Sequence, residues 1–161
     1  MKINKYRSLS TIQKNIRVSI MDMIIEMKRP VSLDEVVVWV KDKLNLEKDI
    51  INESLNLFVS KNIMVVDNDN YINFIYPVSA HKTMHKVTLA DKREVNAMCA
   101  IDALGFRCTF NQDIDVNSMC YITGKEINIS IKNGEIVHLN NSDIRVLHLN
   151  LDKHENWAAS C

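Results

Sequence analysis

Met98-Cys99-Ala100-Ile101-Asp102-Ala103-Leu104-Gly105 places a thiol and a carboxylate three residues apart in an apolar run of helix formers. Residues at that spacing share one helix face, so both groups would point into the same small volume. A soft nucleophile beside a proton donor suits few reactions. Cleavage of a carbon–metal bond is one, with sulfur taking the metal and the carboxyl group supplying the proton. Working outward, the pattern predicts a helix over Arg93 to Leu104 and β structure after Gly105. The expected strands are Arg107 to Phe110, Ile114 to Val116, Ile127 to Ile131, Ile136 to Leu139 and Val146 to Leu151. Asn133-Gly134 is a hairpin turn signal between two of them. Upstream, His85-Lys86-Val87-Thr88-Leu89 alternates as a strand does. Residues 77–161 therefore read as a small, mostly antiparallel sheet packed on the Cys99 helix.

The preceding half is organised differently, and Tyr76-Pro77 marks the boundary. Ile12, Ile16, Ile20, Met23, Ile24 and Met27 recur at helical spacing from Thr11 to Met27, and Arg29-Pro30 ends that helix. Ser32 and Glu35 have the spacing of a capping box ahead of a second helix with Val36, Val37, Trp39, Val40 and Leu44 inward. A third helix is predicted from Glu47 to Ser60. Ile63 to Val66 and Tyr71 to Ile75 flank an Asp/Asn cluster and read as a hairpin. Three helices and a hairpin make residues 1–76 a winged-helix-like module, and the whole chain α+β. Such a module is a packing or dimerisation unit, or a DNA binder that uses its third helix. That helix opens Glu47-Lys48-Asp49-Ile50-Ile51-Asn52-Glu53, with three acids against one base, and would repel phosphate.

Bulk properties agree. The 161 residues are 47% hydrophobic and 25% charged, globular values. Twenty basic and twenty acidic residues cancel, which argues against a nucleic-acid backbone binder, so DNA is not expected as a partner. No apolar run suggests a membrane span or a signal peptide. Four cysteines without an export signal imply free thiols in a reducing cytoplasm.

Those cysteines are Cys99, Cys108, Cys120 and Cys161, and no two form a C-x-x-C pair, so structural zinc is not expected. Cys108 reads as a small hydrophobe in an apolar strand, and Cys120 as structural near a turn. Asp102 is a poor mid-helix residue whose burial is costly unless it is paired. It either bonds nearby backbone or serves a site. His81, His85, His138, His148 and His154 are scattered and read as surface or strand-edge residues. Neither a glycine-rich phosphate loop nor a G-x-S-x-G elbow occurs.

At these residues the chain resembles the organomercurial (alkylmercury) lyases. Cys99-Ala100-Ile101-Asp102-Ala103-Leu104 looks like that family's C-A-x-D-x-L core. The helices around Arg29-Pro30-Val31-Ser32 look like its winged-helix-like domain. Cys120 falls where the family has a structural cysteine, and Cys161 at or next to its second active-site thiol. The resemblance implies Cys99, Asp102 and Cys161 as catalytic and mercury-binding residues. Two thiolates would hold the metal, and Asp102 would accept a thiol proton and deliver it to the leaving carbon. It implies no cofactor, with mercury the metal of substrate and product. It further implies a small organometallic substrate, and cytosolic thiols or a downstream metal reductase or carrier as recipients of Hg²⁺. This sequence departs from the family by stopping at Cys161, by having a single cysteine there, and by the extra Cys108, which could stand in as a ligand. The expectation is a divergent or C-terminally shortened member. The alternatives are a thiol-based metal sensor with a DNA-binding winged helix, or a lyase-like enzyme for another organometal.

Overall fold

The computed structural model describes residues 6–146. Helix α1 (Thr11–Met27) begins at a reciprocal capping box: Gln13 N donates to Ser10 Oγ (3.2 Å), and Ser10 N donates to Gln13 Oε1 (2.9 Å). It ends at Lys28, whose φ of 54° is left-handed. After the short strand β1 (Val31–Ser32), α2 (Leu33–Leu44) starts from the expected box, with Glu35 N donating to Ser32 Oγ and Ser32 N to Glu35 Oε2. Helix α3 (Lys48–Ser60) follows, then β2 (Met64–Val66) and β3 (Tyr71–Ile75) as the expected hairpin. A cis Tyr76–Pro77 bond leads into β4 (Val78–Ser79). The remaining elements are β5 (His85–Leu89), β6 (Glu94–Ala97), α4 (Ala100–Phe110), β7 (Ile114–Met119), β8 (Glu126–Lys132) and β9 (Glu135–Leu139).

Among the described residues the nine strands form one antiparallel sheet, ordered β1-β3-β4-β6-β5-β7-β8-β9 with β2 also on β3. The architecture is α+β. The sheet runs without a break across Tyr76–Pro77, because β3 pairs with β4 and β4 with β6. Helices α1–α3 bury Ile16, Ile20, Ile24, Val36, Val40, Ile51 and Phe58 against one another and against β1–β4. Helix α4 packs on β5, β6 and β7 through Ala103 and Phe106, both fully buried. Asp22 of α1 accepts from Arg93 at the foot of β6 (2.7 Å) and from Lys43 of α2 (3.1 Å), tying the helices to the second half of the sheet.

Several expectations are corrected. Glu94–Ala97 is a strand rather than the start of the Arg93–Leu104 helix. Val95 and Ala97 face inward with period two, and the segment pairs with β5 on one side and β4 on the other. Arg107–Phe110 is the last turn of α4 rather than a strand, because Phe110 stacks on Phe106 one turn back (centroids 5.5 Å apart). Cys108 consequently lies exposed on a helix rather than in a strand. His85 is half-buried in an interior strand, not at an edge or on the surface, and bonds Ser118 Oγ at 3.0 Å. Asn133 and Gly134 both have positive φ, 52° and 85°, as the expected β8–β9 turn requires. The expected Val146–Leu151 strand lies almost entirely outside the described residues.

Candidate active site

Cys99 is not inside a helix: it is the extended residue (φ −145°, ψ 177°) that caps α4. Its carbonyl accepts the Ala103 N–H at 2.9 Å, the first bond of the helix. Asp102 sits in the first turn, where the exposed N–H groups favour a negative charge. From these positions the Cys99 thiol donates to Asp102 Oδ2 at 3.4 Å, and both residues are partly buried. The expected meeting of thiol and carboxylate is present, made by a helix start rather than by a helix face.

The strand before Cys99 holds it in place. Ala97 pairs with Val78, its carbonyl accepts from Thr83 Oγ1 (2.6 Å), and Met98 N donates to the Pro77 carbonyl (3.3 Å). Cys99 is thereby fixed at the end of β6, where the sheet hands the chain to α4. The turn into α4 leaves the thiol beside the first helical turn.

Two residues that the sequence reading passed over lie at the Tyr76-Pro77 junction. Arg17 of α1 donates through Nη2 to the Tyr76 carbonyl, and its guanidinium lies over the Tyr6 ring, 4.5 Å from the centroid. Burial pushes the Tyr6 phenol up to about 12; Arg17 acts against that shift and the Asp102 charge adds to it. Burial lowers the Arg17 pKa, and the electrostatic interactions with Tyr6 and with Asp102 oppose the effect. An arginine stays cationic regardless. A signal for it existed: Arg17 lies three and seven residues before Ile20 and Ile24, a charged residue on the apolar stripe of α1.

Cys108 and Cys120 sit on other parts of the fold. Cys108 is two and a half turns further along α4, a rise of about 13 Å, and exposed, so it does not stand in as a neighbouring ligand. Cys120 follows β7 in a turn closed by its own N–H to the Lys125 carbonyl (2.9 Å) and by Gly124 N to its carbonyl (2.8 Å). A hydrogen bond from the Thr123 hydroxyl, helped by the Thr123 and Ile122 backbone, holds its thiol below the usual range. Cys161 lies outside the described residues. Among the described residues no group of three His, Cys, Asp or Glu side chains could hold a metal ion, and no helix is long and apolar enough to cross a membrane. A cleft of about 220 Å³ between the end of α1 and β4–β6, walled by residues including Lys28, Lys82 and Lys86, involves neither Cys99 nor Asp102.

Comparison with known proteins gives a consistent result. The profile of the alkylmercury lyase family matches residues 78–161. The fold is similar to that in the crystal structure of the mercury-bound form of MerB2, with a TM-score of 0.62 and 19% identity, covering 84% of this chain and 63% of that one. The chain thus spans less than two thirds of the length of that relative. No curated protein sequence matches.

Proposed function

Since this chain belongs to the alkylmercury lyase family, we propose that it cleaves a carbon–mercury bond by protonolysis, with Cys99 as metal-capturing thiol and Asp102 as proton carrier. The observation that carries this reading is the 3.4 Å hydrogen bond from Cys99 Sγ to Asp102 Oδ2. The thiol proton passes to the carboxylate, and the resulting thiolate bonds mercury of R–Hg⁺, soft donor to soft metal. Cys161 is the second thiolate, and its proton is released to solvent on binding. Asp102 then protonates the carbon. The electron pair of the C–Hg bond stays with carbon and makes the new C–H bond, so the products are R–H and Hg²⁺ held by sulfur. Cytosolic thiols or a reductase or carrier take the metal away.

We read the first three helices and the β2–β3 hairpin as a winged-helix-like module and assign it to packing rather than to DNA. The acids at the start of α3 and the zero net charge support this assignment. The working compartment proposed is the cytoplasm, where free thiols persist.

The test is benzene release from phenylmercury, or methane from methylmercury, in excess thiol, measured by gas chromatography. Cys99→Ser and Asp102→Ala are each expected to abolish release while leaving the fold intact by circular dichroism. Full activity in either variant refutes the assignment. Organotin or organolead substrates run in parallel decide between mercury and another organometal.

A further inference from the structure

The covalent chemistry above uses residues of the second half only, yet the first half reaches the same place. The guanidinium of Arg17 lies on the Tyr6 ring (4.5 Å to the centroid) and donates to the carbonyl of Tyr76. The next carbonyl, that of Pro77, accepts from Met98 N, the residue immediately before Cys99. Cys99 in turn bonds Asp102. An unbroken path of contacts therefore leads from α1 to the thiol–carboxylate pair.

We infer that Arg17 is a positioning residue of the active site: from α1 it braces the Tyr76-Pro77 junction, whose Pro77 carbonyl holds Met98 beside Cys99, and it places a fixed cation in that part of the fold. Three observations favour this over a purely structural arginine. Its Nε is buried and makes no hydrogen bond among the described residues, which is costly for a group that serves only the fold. Tyr6 lies over the guanidinium, so a ring rather than water covers that face. The Asp102 charge also acts on both Arg17 and Tyr6, so the three belong to one electrostatic group. The chemistry has a use for such a cation. With the Cys99 proton on Asp102, two thiolates on R–Hg⁺ carry one net negative charge, and a fixed guanidinium offsets it without giving up a proton. Helix α1 is thus part of the site, and a segment carrying only residues 77–161 would lack that charge.

This inference rests on the proposed lyase reading for its kinetic arm, and a second arm is independent of it. In the full chain, Arg17→Met is expected to lower kcat for benzene release from phenylmercury about 100-fold, with KM changed only a few fold. Arg17→Lys, which keeps the charge but loses the Nη2 bond to the Tyr76 carbonyl, is expected to fall in between. Separately, iodoacetamide labelling at pH 7, followed for each cysteine by mass spectrometry, is expected to slow about tenfold at Cys99 in Arg17→Met, with Cys108 unchanged as internal reference. A variant that folds as wild type and keeps both kcat and Cys99 labelling within twofold overturns the inference. Should wild type release no benzene, the lyase reading fails, and Cys99 labelling alone decides for or against Arg17. Should Arg17→Met not fold, the same two readouts in Arg17→Lys decide, and wild-type values in both overturn the inference.

Discussion

Replacing Phe106 by alanine should unfold the platform on which the Cys99–Asp102 pair stands, and the size of the effect follows from the packing. Phe106 is fully buried on the inward face of α4, which rests on β5, β6 and β7. Its ring stacks on Phe110 at 5.5 Å with the planes only 12° apart. A buried Phe→Ala change typically costs 3–5 kcal/mol, the transfer term plus an unfilled cavity. The upper half of that range applies here, because the ring is completely covered and the stacked pair adds about 0.5–1.5 kcal/mol. The neighbours cannot close the gap cheaply: Ala103 is already small, and the sheet on the other side is held by paired strands. With a urea m-value of about 2 kcal/mol per M, a loss of about 4 kcal/mol moves the midpoint by about 2 M. Urea titration of wild type, Phe106→Ala and Phe106→Leu, followed by circular dichroism, measures it; the leucine variant should lose about 1–2 kcal/mol. A loss below about 1 kcal/mol in Phe106→Ala would refute the packing of α4 described here.

Two further outcomes follow from charge and thiol environments. A hydrogen bond from Arg29, then one from Ser32 N, holds the Glu35 carboxyl at about 2, well below its ordinary value, in an exposed pair. Since the folded pKa is depressed, its contribution is present above the unfolded value near 4.5 and is lost as pH falls toward 2. Exposure limits it to about 1 kcal/mol or less. Wild type should therefore converge on Glu35→Gln across that window in acid titrations of stability; parallel curves would contradict the pairing. At Cys120, the Thr123 hydroxyl is the largest cause of the lowered thiol pKa. Thr123→Val should slow its alkylation at neutral pH by about 2- to 5-fold, and an unchanged rate would remove that cause.

Where side-chain period and capping chemistry act locally, the sequence was a good guide. Ser32 and Glu35 announced α2, the apolar positions from Ile12 to Met27 marked α1, and Asn133-Gly134 fixed the β8–β9 turn. The stretch around Cys99 was harder, because its structure is set by distant partners. Glu94–Ala97 is short and carries good helix formers; what makes it a strand is pairing with Lys86, Val87 and Thr88 and with Val78 and Ser79. Its conversion to strand moved α4 toward the C-terminus, so Arg107–Phe110 became helix and Cys99 its cap. The Cys99–Asp102 pair survived this shift because a cap and the third helical residue meet as readily as two residues on one helix face. Arg17 was only faintly signalled, as a charge on the apolar stripe of α1, and Tyr6 not at all, since it is the sheet's path through Tyr76-Pro77 that links α1 to the residue before Cys99. Cys161 lies outside the described residues.

The central claim is that a proton delivered at Asp102 ends on the carbon released from mercury. Its most direct test is to incubate the full chain with phenylmercury and excess thiol in D₂O and to analyse the headspace by gas chromatography–mass spectrometry. The account predicts benzene carrying one deuterium, formed in proportion to phenylmercury consumed by wild type and absent with Asp102→Ala. Folded wild-type protein that binds phenylmercury yet releases no benzene, or Asp102→Ala releasing it at the wild-type rate, would contradict it.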